Sequence, residues 1–127
     1  MTPPAKILIV EDEMIIGANI SLQLSKLGYE VTGIVSRGEE ALEHVKQNRP
    51  DIVLMDIQLK GEMDGIDTVK KIHQNTDLPV IYLTANADDE NFVRGKSADP
   101  SAFMSKVLKK LDVQHAIQLT MGRLAKN

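Results

Sequence analysis

The sequence predicts a doubly wound α/β domain of five βα units, with a parallel sheet in the order 2-1-3-4-5. Three observations predict it. Five short apolar runs recur along the chain, rich in β-branched residues. An amphipathic or polar helical stretch follows each run. Every run ends on polar residues, mostly acidic, hydroxylated or basic. Near-continuous apolar strands belong to parallel sheets covered on both faces. Right-handed crossovers between such strands then leave few topologies, of which this order is the common one.

The runs are Ile7-Leu8-Ile9-Val10, Val31 to Val35, Ile52-Val53-Leu54-Met55, Val80-Ile81-Tyr82-Leu83 and the weaker Ala102-Phe103-Met104. Between the first two, Ile16, Ile20, Leu24 and Leu27 fall on one helical face, and Gly28 is the stop signal. Ser36-Arg37-Gly38-Glu39 reads as a capping box opening a second helix, with Ala41, Leu42 and Val45 inward and Pro50 beyond its end. Ile66, Val69 and Ile72 mark a third helix, from about Gly65 to Gln74. The fourth, Asp88 to Lys96, is polar, anchored by Phe92 and Val93 alone and weakened by Gly95, so it is expected to be short and mobile. Asp112 is the expected cap of a last helix carrying Val113, Ala116, Ile117, Thr120 and Leu124.

With 127 residues, 43% of them apolar and 26% charged, the chain suits one domain, residues 1–127, with a single core. There is no cysteine, which excludes a disulfide framework or a thiolate metal site and agrees with a reducing cytoplasm. The apolar runs are far too short to span a membrane, and the first residues lack the apolar stretch of a signal peptide. A net charge of -3, from 15 basic and 18 acidic residues, argues against nucleic-acid binding driven by overall charge.

In open α/β sheets the site lies beyond the carboxyl ends of the strands. Those ends carry Glu11, Asp12 and Glu13 after strand one, Asp56 after strand three, Thr84 after strand four, and Ser105 and Lys106 after strand five. The predicted order makes these strands neighbours, so the groups converge. Carboxylates, a hydroxyl and a lysine at one edge suit a hard divalent cation and phosphoryl chemistry. The three histidines, His44, His73 and His115, share no ligand spacing.

On these residues the chain resembles the receiver domain of bacterial and archaeal response regulators, from Lys6 to about Leu124. The motifs are Ile9-Val10-Glu11-Asp12-Glu13, Val53-Leu54-Met55-Asp56-Ile57, Met63-Asp64-Gly65 and Leu83-Thr84-Ala85, with 22 positions from Thr84 to Lys106. The resemblance implies a flavodoxin-like fold and a set of roles. Asp56 resembles the phosphoacceptor, and Glu11 and Asp12 the acidic pair that holds Mg²⁺. Asp56 and the main-chain carbonyl of Gln58 would be further cation ligands. Thr84 resembles the switching hydroxyl, Lys106 the lysine that pairs with phosphoryl oxygens, and Phe103 the rotating aromatic.

The implied function is a phosphorelay switch that takes a phosphoryl group from a sensor histidine kinase or a histidine phosphotransfer protein. It would sit in the cytoplasm, contact neither membrane nor nucleic acid directly, and pair with a second copy through the face of helix four, strand five and helix five. It would catalyse only its own phosphorylation and dephosphorylation. No output domain is read in the sequence. The alternative is a receiver-like binding module that works without phosphorylation. A haloacid dehalogenase-type phosphatase would need a second aspartate where Gln58 stands, and a dinucleotide-binding enzyme would need G-x-G-x-x-G where Glu11-Asp12-Glu13-Met14 stands.

Three departures from the family pattern stand out. The loop from Ile57 to Asp64 is one residue longer and lacks a proline; Lys96 to Ser101 lacks a Gly-Ala pair; and Val107 follows Lys106 where proline is usual. A lysine–valine bond favours trans by about 2.5–4 kcal/mol. The expectation is therefore a trans Lys106–Val107 peptide, a re-routed entry to the last helix, and a lysine that reaches Asp56 through water.

Overall fold

The computed structural model describes residues 3–85, 87–96, 102–106 and 110–125. The elements alternate as β1 (Lys6–Val10), α1 (Met14–Lys26), β2 (Glu30–Val35), α2 (Gly38–Gln47), β3 (Ile52–Asp56), α3 (Gly65–His73), β4 (Val80–Thr84), α4 (Ala87–Lys96), β5 (Ala102–Ser105) and α5 (Lys110–Ala125). The strands form one parallel sheet in the order β2-β1-β3-β4-β5. This is the flavodoxin-like (βα)5 arrangement that the apolar runs predict.

Alternation along each strand divides the core in two. Leu8, Val10, Val53, Met55 and Tyr82 face α2, α3 and α4, packing on Ala41, Val45, Ile66, Val69, Ile72 and Val93. Ile7, Ile9, Ile52, Leu54, Ile81, Leu83 and Met104 face α1 and α5, packing on Ile20, Leu24, Val113 and Ile117. Each fully buried aliphatic side chain is worth roughly 1.5–3 kcal/mol, so these two layers hold the sheet.

Most helix boundaries match their sequence signals. The backbone leaves α1 at Leu27 and turns through Gly28 with φ of 92°, a conformation only glycine adopts readily. Three details differ. The capping box expected at Ser36 does not form: Arg37 is the N-cap of α2, and the Ser36 hydroxyl donates to the Glu40 carboxylate at 3.0 Å instead. The box forms on α3, where Asp64 accepts from the Asp67 amide at 2.8 Å and Asp67 accepts from the Asp64 amide at 3.4 Å. Helix α5 starts at Lys110, so Asp112 lies inside it rather than capping it.

Of the two apolar anchors expected in α4, Val93 is buried, whereas Phe92 is 39% exposed. His44 and His73 are tied into the fold, with His44 Nε2 3.0 Å from Thr32 Oγ1 and His73 Nε2 2.8 Å from the Leu78 carbonyl. The segment 97–101 and the Val107 side of the Lys106–Val107 peptide lie outside the described residues. No helix among the described residues is long and apolar enough to cross a membrane.

Candidate functional site

Strand β1 lies between β2 and β3, so the chain reverses its winding direction around it and opens a crevice at the carboxyl ends. Glu11 leaves β1 there, its amide donating to the Val35 carbonyl at 2.9 Å, and its side chain is fully buried. Asp56 closes β3 and is also buried. Thr84 closes β4, and the Lys106 amide donates to the Thr84 carbonyl at 2.8 Å. The sheet therefore delivers four of the predicted side chains to one place.

Lys106 is the hub. Its Nζ lies 2.9 Å from Glu11 Oε1 and 3.1 Å from Asp56 Oδ1. Direct pairing replaces the expected water-mediated one. The physical reason is the β4–β5 ladder: Thr84 pairs with Ser105, and the bond from the Lys106 amide to Thr84 fixes the lysine backbone whatever residue comes next. The Asp56 carboxylate also accepts from the Gln58 amide at 3.3 Å, and Asp12 Oδ2 accepts from the Lys60 amide at 3.3 Å. The loop after β3 is thus drawn across the crevice.

The electrostatics are strained toward a cation. Burial pushes the Glu11 carboxyl up to about 7 from an ordinary 4.5; neighbouring Asp56 adds to the rise, while Lys106 and the Glu13 amide oppose it. Burial alone would lower the Lys106 ammonium, but its contacts with Glu11 and Asp56 outweigh that and hold it above its ordinary value. Glu11 Oε1 is buried and accepts no aligned hydrogen bond: Lys106 is near in charge but off axis. Carboxylate oxygens of Glu11, Asp12 and Asp56 lie within 4.8 Å of one another. Three converging carboxylates with one buried, under-satisfied oxygen fit a hard divalent ion such as Mg²⁺, which binds through few carboxylates and keeps waters.

Thr84 is buried at the carboxyl end of β4, its hydroxyl donating to the Met104 carbonyl at a long 3.5 Å. Phe103 shares the sheet face of Tyr82 and stacks on it, with ring centroids 6.0 Å apart.

Sequence reasoning missed one site residue as such. Gly65 opens α3, and a Cβ there would collide with the Asp56 carbonyl and stand 3.0 Å from Ile57 Cα. Its amide donates to the Ile57 carbonyl at 2.9 Å. The Asp64-Gly65 pair was legible as a turn, but not as the place where α3 meets the backbone of Asp56.

Comparison with known proteins agrees with this geometry. The family model "Response regulator receiver domain" matches residues 7–118. The transcriptional regulatory protein PdtaR of Mycobacterium tuberculosis is 32% identical over 120 residues, 94% of this chain and 58% of that protein. Among solved structures, the signal receiver domain of a modulated diguanylate cyclase from Desulfovibrio desulfuricans superposes with a TM-score of 0.84 at 34% identity, covering 94% of this chain and 95% of that one. The anti-anti-sigma factor PhyR of Bartonella quintana gives 0.86 at 30%, covering 99% of this chain and 51% of that one. The chain spans about half the length of the curated relatives it matches. It belongs to the receiver domain family of the response regulators of two-component systems.

Proposed function

We propose that the domain is a phosphoacceptor switch in which Asp56 receives a phosphoryl group from a phosphohistidine of a sensor kinase or phosphotransfer protein. The observation that carries the reading is the shared lysine: Lys106 pairs with Glu11 and Asp56 at once, beside the Asp12 carboxylate. An Asp56 carboxylate oxygen attacks phosphorus, an acyl phosphate bond forms, and the P–N bond to the leaving imidazole breaks. Lys106 neutralises one equatorial oxygen as a compact point charge. Glu11, Asp12, Asp56 and the Gln58 carbonyl would hold Mg²⁺, whose charge supplies the rest of the neutralisation. Thr84 then turns its hydroxyl, whose bond to the Met104 carbonyl is a long 3.5 Å, to the phosphoryl group, and Phe103 follows into the space.

Only self-catalysed phosphotransfer and autodephosphorylation are assigned, in a cytoplasmic setting. The face of α4, β5 and α5 is the surface assigned to a second copy. Nucleic-acid contact stays open for the whole protein, since relatives matched over about half their length include proteins named as DNA-binding response regulators. Intact-mass measurement after treatment with acetyl phosphate and Mg²⁺ tests the reading. Wild type gains one phosphoryl mass and D56N gains none; equal uptake by D56N overturns the assignment.

A further inference from the structure

Helix α4 is tied to the rest of the molecule by both apolar and charged contacts. Along it, Val93 is the one described apolar side chain that is fully buried. Two cations supply further ties. The Arg94 guanidinium lies over the Phe103 ring, 5.3 Å from its centroid. Lys96 Nζ lies 3.7 Å from Asp64 Oδ2, the N-cap of α3, and 4.6 Å from the centroid of Phe92. Glu90, one turn before Arg94, pairs with it at 3.7 Å and steadies its direction.

The position of Phe103 gives the arginine contact its meaning. Tyr82 pairs with Phe103 and Thr84 with Ser105, so all four project to the α4 side of the sheet, with Thr84 nearer its carboxyl edge. In a parallel sheet α4 runs back from that edge, which puts Arg94, near its end, over the Phe103 level rather than the Thr84 level. A ring that swings toward Thr84 therefore leaves the guanidinium. Arg94 and Tyr82 both contact the ring in the arrangement seen here.

We infer that Arg94 is a positioning residue: a cation–π latch that holds Phe103 on α4 and opposes its movement toward Thr84. This rests on the proposed role of Asp56, Thr84 and Phe103 in switching. A partly exposed cation–π contact has a strength equivalent to about a two- to fivefold bias in an equilibrium. Linkage transmits that bias to the phosphoryl site. When the free protein is mainly latched, loss of the latch tightens binding of a phosphoryl mimic at Asp56 by the same factor.

The test is beryllofluoride affinity with Mg²⁺ for wild type, R94K and R94Q, followed by ¹⁹F signals of fluorinated phenylalanine placed at position 103. The expected result is about two- to fivefold tighter binding by R94Q, and an affinity near wild type for R94K, which restores a cation. Stepwise fluorination of the Phe103 ring weakens its attraction for a cation without removing the ring. Affinity should therefore rise along the series in the wild-type background and stay level in R94Q. Equal or weaker binding by R94Q, or a fluorination series with the same slope in both backgrounds, overturns the latch. A wild-type protein that does not bind beryllofluoride at all overturns the switch reading itself, and the latch with it.

Discussion

Lys106 Nζ stands as close to Glu11 as to Asp56, 2.9 Å against 3.1 Å, so one ammonium serves two carboxylates. It occupies part of the charge demand that a divalent ion would meet. Removing the lysine should leave Glu11 and Asp56 facing each other with no cation between them. K106M is therefore expected to bind Mg²⁺ several-fold more tightly than wild type by calorimetry, although it loses phosphoryl uptake. Weaker binding would mean that the lysine supports the cation site rather than competing with it.

Asp12 is the more exposed of the three carboxylates proposed to hold the cation. D12A should lower Mg²⁺ affinity by an order of magnitude or more, because it removes one of the three carboxylates that converge among the described residues. Unchanged binding enthalpy and affinity would place the ion elsewhere.

The Glu11 carboxyl gives the site a pH dependence with a definite sign. Its value in the fold, about 7, lies above its ordinary 4.5, so the native state holds a proton that the unfolded chain releases. The ionised form therefore costs stability. The cost is absent below about pH 4.5, grows between there and about 7, and is fully present above that. In metal-free buffer at pH 8, E11Q should be more stable than wild type, by on the order of 3 kcal/mol, with the difference vanishing near pH 4 in denaturant melts. The same protonation should weaken Mg²⁺ binding by wild type as pH falls below about 7. A pH-independent difference between the two proteins would remove Glu11 as the source.

At Gly65 the prediction is steric. An alanine Cβ would meet the Asp56 carbonyl and the Ile57 backbone, neither of which can turn aside as a flexible side chain could. G65A should cost about 1–3 kcal/mol in denaturant melts and depress phosphoryl uptake by shifting Asp56. G61A makes a useful control for strain of another kind, since Gly61 has φ of 107° but open space around it.

Structures with and without a phosphoryl mimic should differ at Thr84 and Phe103. The Thr84 hydroxyl should leave the Met104 carbonyl, and the ring should leave Tyr82. Identical rotamers in the two states would separate phosphorylation from this route of signalling.

The sheet was legible because its signals are redundant. In four of the five strands apolar residues run unbroken and stop at a polar residue, and the stops after β1, β3, β4 and β5 mark the site. What the sequence did not disclose depends on single contacts in space. The capping box went to Asp64 and Asp67 rather than Ser36, although both stretches have suitable spacing; the choice rests on how each chain enters its helix. Lys106 reached Asp56 without the proline expected after it, because a β-ladder hydrogen bond, invisible in composition, fixed its backbone first. Phe92 and Val93 look alike as apolar neighbours, yet they stand about 100° apart around the helix, and here Val93 is the one turned inward.

The contact between Gly65 and Asp56 also sets a direction for motion. On its α3 side the Asp56 backbone abuts a helix start closed by a reciprocal cap, with no side chain between them to yield. On its β4 side stand a hydroxyl on a long bond and a ring resting on its neighbours. Stiffness around Asp56 is therefore unequal. On the proposed reading, a push delivered at the carboxylate would meet a wall on the α3 side and yielding neighbours on the β4 side, so one missing methyl group would steer the output.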